Sequence, residues 1–66
     1  MNWDTIKGNW TQMTGKIKEE WGDLTDDEIT EAEGDRDQLV GKIQAKYGIA
    51  KEEAEKQVNS FAAKVS

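Results

Sequence analysis

The sequence contains no cysteine, no histidine and no proline. Without cysteine the chain cannot form disulfides or use thiolate chemistry, and without both residues it lacks the usual zinc and haem ligands. A domain of 66 residues buries only about 60% of its unfolded surface, so folds of this size commonly depend on disulfides or a bound metal for stability. We therefore expect a marginally stable domain that carries no metal and no cofactor. The missing cysteine also suits a reducing compartment.

Large aliphatic side chains are scarce. Leu, Ile, Val and Phe supply 11 of the 66 residues, and the net charge is −5. Disordered chains have a similar composition, with less than about 20% of these residues and a high net charge. The absence of proline opposes disorder, and three Trp, one Tyr and two Met add apolar bulk. We expect one folded domain over residues 1–66 rather than a disordered chain.

The sequence has no long apolar segment. No run approaches the ~20 residues of a membrane span, and Met1–Asp4 lacks the basic and apolar regions of a signal peptide. We therefore expect a cytoplasmic monomer. The acidic balance disfavours nucleic acid and anionic membranes as partners. A lysine face that binds either one stays open as an alternative: Lys7, Lys16, Lys18, Lys42 and Lys46.

Apolar residues in the first third of the chain recur at spacings of three and four. This period predicts a helix from an N-cap at Asp4 to Trp21, ended by Gly22. The stripe covers an arc of about 80° and is interpreted as core; the alternative is an exposed surface for a partner helix or membrane. Its members include all three tryptophans: Trp3, Ile6, Trp10, Met13, Ile17, Trp21 and Leu24.

Three further helices are predicted. Thr25–Glu28 has the pattern of a capping box and opens a short second helix that ends near Gly34. The third begins near Asp35 and ends at Gly48, and the fourth spans about 51–64 without a clear N-cap. The predicted apolar faces are Ile29 and Ala32 in the second helix, Leu39, Val40, Ile43 and Tyr47 in the third, and Ala54, Val58, Phe61, Ala62 and Val65 in the fourth.

Residues 12–22 resemble residues 38–48 at an offset of 26 positions. Each unit reads as a helix, a glycine turn and a second helix, which predicts two αα-hairpins at about 3–33 and 34–65. Two amphipathic hairpins would bury their apolar stripes against each other. The predicted fold is therefore all-α, a small four-helix bundle made of two hairpin repeats. The identical pairs are Gln12/Gln38, Gly15/Gly41, Lys16/Lys42, Ile17/Ile43 and Gly22/Gly48.

Three glycines fall inside the predicted helices: Gly8, Gly15 and Gly41. A glycine in a helix interior costs about 1 kcal/mol relative to alanine. The simplest interpretation is a close approach by another backbone, or tolerated looseness. The functional alternative is a helix that forms conditionally, or one that presents a smooth face to a partner. No strand and no tight glycine spacing support a phosphate-binding loop.

Acidic residues are concentrated between residues 22 and 37, with eight carboxylates and one arginine. The simplest interpretation is a solvated face together with acids at helix N-termini. The functional hypothesis is a docking patch for a basic protein partner, formed by Asp23, Asp26, Asp27, Glu28, Glu31 and Glu33. The segment does not fit the ligand spacing of an EF-hand.

Catalytic chemistry finds little support in the sequence. Ser60 and Ser66 have no evident base, and carboxylates acting as acid and base need a cleft that four short helices do not provide. We predict that the chain is not an enzyme.

A set of short segments, in this order and spacing, resembles the bacterial CsbD-like family over about residues 2–60. The resemblance implies a small helical bundle produced in general stress or stationary-phase responses, with no known catalytic or binding residue. We therefore expect a non-enzymatic stress-response protein with a protective or interaction role. The alternative is a protein-binding module that docks a basic partner on segment 23–37. The segments are Asn9–Trp10, Gly15–Lys18, Trp21–Gly22, Leu24–Asp27, Glu33–Gly34, Arg36–Gln44 and Tyr47–Gly48.

Overall fold

The computed structural model describes residues 3–65, and the regular elements in this part of the chain are all α-helical. The all-α prediction is therefore confirmed, but five helices replace the four predicted. Asp4, the predicted N-cap, lies within the first helix. The helices are α1 (Trp3–Gly8), α2 (Trp10–Glu20), α3 (Asp26–Ala32), α4 (Arg36–Tyr47) and α5 (Lys51–Lys64).

The prediction of one continuous helix from Asp4 to Trp21 is wrong, because the backbone breaks at Asn9. This residue has φ −112° and ψ 29°. Its backbone N–H is shared between the carbonyls of Thr5 and Ile6, both at 3.2 Å, and its side-chain amide donates to the Thr5 carbonyl at 3.1 Å. An asparagine side chain that competes for backbone acceptors next to a flexible glycine favours a break over continuation.

The start of α3 is a complete capping box, as predicted. The Glu28 backbone N–H donates to the Thr25 hydroxyl at 3.1 Å, and the Thr25 backbone N–H donates to Glu28 Oε1 at 2.9 Å. Two of the backbone N–H groups left free at a helix N-terminus are thereby satisfied.

The connection between α3 and α4 is tight and partly left-handed. Glu33 has φ 51° and Gly34 has φ 82°, and the Asp35 side chain accepts from the Gln38 backbone N–H at 3.2 Å, which caps α4 as predicted. A non-glycine residue with positive φ is uncommon and costs about 1–2 kcal/mol. The other predicted turn glycine, Gly48, ends α4 with φ 64°.

The core draws side chains from all five helices and from the connection before α3. Most residues of the predicted apolar faces are buried, while Trp3, Trp10, Ala62 and Val65 are half-buried at the edge of the core. Along the chain, α1 packs on α2, α2 on α3, α3 on α4, and α4 on α5. The buried hydrophobic residues are Ile6, Met13, Ile17, Trp21, Leu24, Ile29, Ala32, Leu39, Val40, Ile43, Ala54, Val58 and Phe61.

Tyr47 departs from the predicted apolar face of α4, because its side chain is 38% exposed. Its hydroxyl accepts from the Asp23 backbone N–H at 3.1 Å. A phenol that needs a polar partner is best placed where one end of the ring meets the surface.

Each tryptophan donates its indole N–H to another helix or connection. Trp3 donates to the Gly34 carbonyl at 2.7 Å and Trp10 to the Ile29 carbonyl at 3.1 Å. Ile29 lies in the last turn of α3, where carbonyls lack partners within the helix. The third indole, on Trp21, donates to Gln57 Oε1 of α5 at 2.9 Å.

The interior glycines do not mark close approaches. A Cβ built at Gly8, Gly15 or Gly41 meets no atom of the described residues within 4 Å, so this interpretation is wrong for all three. The close approach lies at Gly34, where a Cβ would sit 2.8 Å from Lys7 Cγ and 3.4 Å from Lys7 Cα. Gly34 thus lets α1 cross the α3–α4 connection.

Alanine substitutions at these glycines should have opposite effects. Gly15→Ala and Gly41→Ala should each raise the free energy of unfolding by up to about 1 kcal/mol, because alanine favours the helix and its methyl group finds open space. Gly34→Ala should lower it by more than about 1 kcal/mol, because the position has positive φ and no room. Urea denaturation followed by circular dichroism measures all three. A stabilised Gly34→Ala variant would contradict the structure.

Candidate functional site: the acidic surface of α3

The acidic surface is presented by α3 and the residues that flank it. Ile29 and Ala32 are buried on the inner side of the helix, so its acids face outward. Acids in the first turn are also favoured by the helix dipole. Of the six predicted docking residues, five are exposed and Glu28 is half-buried: Asp23, Asp26, Asp27, Glu28, Glu31 and Glu33.

Two of these six carboxylates are already paired with lysines of α4. Lys46 Nζ lies 3.1 Å from Glu28 Oε1, and Lys42 Nζ lies 2.7 Å from Glu31 Oε1. Ion pairs at the surface stabilise a fold only weakly, because solvent and salt screen them. Their main effect here is to offset the negative charge along the edge of α3 that faces α4.

The other four carboxylates are not paired in this way. Within residues 3–65, no lysine or arginine nitrogen lies within 4 Å of Asp23, Asp26, Asp27 or Glu33. The first three precede or begin α3, while Glu33 follows its other end, about 10 Å of helix away. The acids that pair with lysines, Glu28 and Glu31, lie between these two groups in the sequence. The predicted patch is therefore divided into three unpaired aspartates at the start of α3, two paired glutamates, and Glu33 beyond its end.

Glu28 has a structural role besides its place in the acidic surface. The hydrogen bond from the Thr25 backbone N–H, followed by the contact with Lys46, lowers the pKa of the Glu28 carboxyl. Both contacts favour the charged form. A carboxyl with a lowered pKa in the folded state stabilises the fold above its unfolded pKa, and this contribution is lost as the pH falls through its folded pKa.

The lysine alternative is weakened by the same contacts. Lys42 and Lys46 pair with acids of α3, and Lys18 donates to the Leu24 carbonyl at 2.6 Å. The stem of Lys7 lies against Gly34. Most of the five lysines of the alternative basic face are therefore engaged within the chain.

Sequence reasoning found the acids but missed their lysine partners, because the pairs depend on the packing of α3 against α4. One pattern could have indicated them. Glu28 and Glu31 are three residues apart, and Lys42 and Lys46 are four apart, so each pair occupies one face of its helix. Neighbouring antiparallel helices with such complementary faces would be expected to form ion pairs.

The described residues contain no group of three or more carboxylates placed to hold a metal ion. None of the helices in residues 3–65 has the length and apolar character needed to cross a membrane. What the acidic surface offers is fixed negative charge beside an exposed tyrosine. This arrangement can attract cationic groups of another molecule.

These features define a small, acidic, all-helical protein whose candidate site is a charged surface. A family model described as CsbD-like matches residues 4–56. The chain therefore belongs to the CsbD-like family, a stress-response family.

Similar proteins come from several bacteria. The chain is 61% identical over 62 residues to the UPF0337 protein NE2439 of Nitrosomonas europaea, covering 94% of this chain and 66% of that protein. It is 61% identical over 61 residues to the UPF0337 protein YjbJ of Escherichia coli, covering 92% and 88%. It is 59% identical over 61 residues to the UPF0337 protein PA4738 of Pseudomonas aeruginosa, covering 92% and 94%. The chain thus spans nearly all of two of these relatives and less than two thirds of the first.

The effect of Glu28 on stability should depend on pH. Glu28→Gln should destabilise the protein at pH 7, and the gap between variant and parent should narrow as the pH falls through the folded pKa of Glu28. Chemical denaturation at several pH values between 7 and 3 measures the gap. Glu31→Gln, which removes a lysine pair at a residue outside the capping box, is the matched control. A Glu28→Gln gap that stays constant over this range would contradict the assignment.

Proposed function

We propose that this chain is a non-enzymatic stress-response protein that protects other macromolecules by acting as a charged spacer between them. The observation that carries the proposal is the hydrophilic surface. Apart from Tyr47, the large hydrophobic side chains of residues 3–65 are buried or half-buried. Charged residues make up 35% of the sequence, and the mean hydropathy is −0.92.

This surface favours one mechanism of protection over another. A protein that holds unfolded clients needs an exposed apolar patch, usually of several hundred Å². A surface of dense charge instead remains hydrated and keeps neighbouring molecules apart, which opposes their aggregation. Protection of this kind needs comparable amounts of protector and client, because each spacer acts only on its neighbours.

The proposal also covers the location, oligomeric state, chemistry and partners of the protein. We place the protein in the cytoplasm as a monomer, without a catalytic role or cofactor. Nucleic acid and anionic membranes are disfavoured as partners by the net charge of −5 and by the lysines already engaged within the chain.

The finer architecture belongs to the same proposal. We infer a single domain over residues 1–66, made of two hairpin units at about 3–33 and 34–65 that form a four-helix bundle, with α1 as an addition to the first unit. The packing of α2 on α3 and of α4 on α5 supports this pairing. The burial of both members of the pairs Met13/Leu39 and Ile17/Ile43 supports it as well.

Protection should depend on total charge rather than on its position. The protein, at equimolar and higher ratios, should delay the heat-induced aggregation of a client enzyme measured by light scattering. Two variants lose three charges each, one on the acidic surface (Asp26→Asn, Asp27→Asn and Glu33→Gln) and one elsewhere (Glu19→Gln, Glu52→Gln and Glu53→Gln). Each neutralises two acids in the first turn of a helix. Both should protect less, and to the same extent. No delay with the parent protein would contradict the proposal.

A second candidate function is the docking of a basic protein partner on the acidic surface. The observation that favours it is the combination of unpaired Asp23, Asp26 and Asp27 with the exposed ring of Tyr47, whose hydroxyl contacts the Asp23 backbone. Tyrosine is one of the residue types enriched in binding hot spots.

The same two triple variants test this candidate. In a pull-down from the native cell extract at low salt, the parent and the variant changed at Glu19, Glu52 and Glu53 should retain a basic partner, and the variant changed on α3 should lose it. Raising the salt should release the partner from the parent. Identical partners for both variants would rule docking out and would leave the spacer proposal untouched.

A further inference from the structure

We draw no further inference here: the strongest candidate, the cleft of about 320 Å³ between α2 and the C-terminal end of α5, is lined by Phe61, Val65 and equal numbers of lysines and glutamates, so nothing in the structure shows what would cover it.

Discussion

The fold depends on side chains that are both apolar and hydrogen-bonding, because the chain has no cysteine with which to form disulfides. The three indoles meet this need. Each packs against the core and donates to a group in another part of the chain. The Trp10 indole donates to the Ile29 carbonyl in the last turn of α3, and the Trp3 indole donates to the Gly34 carbonyl just beyond it. The position of this short helix is therefore set by α1 and α2. A hydrogen bond of this type contributes about 1 kcal/mol, and losing it leaves a carbonyl without a partner.

The acidic surface is a consequence of this arrangement. A helix of seven residues is not stable in water on its own. The capping box satisfies backbone N–H groups at the start of α3. The Trp10 indole donates to the Ile29 carbonyl in its last turn, and Lys42 and Lys46 offset two of its charges. Charge can therefore be concentrated on α3 only because other helices contribute the energy that keeps it in place.

Sequence reasoning succeeded where the determining interactions are local. The capping box at Thr25, the cap at Asp35 and the left-handed Gly48 involve residues at most four positions apart. It failed at Asn9, because apolar spacing continues through a break that a side-chain amide causes. It also failed at Tyr47 and at the lysine partners of the acids, since burial and ion pairing there depend on contacts between helices. The glycines inside the predicted helices were interpreted as sites of close backbone approach. The close approach instead occurs at Gly34, in the connection between α3 and α4.

Gly15 and Gly41 each weaken the helix that contains them. Neither is needed by any contact of the described residues, yet each makes its helix easier to open. Cleavage by proteases follows the population of opened forms when opening is fast. The two glycines therefore make the helices that contain them the expected sites of early cleavage.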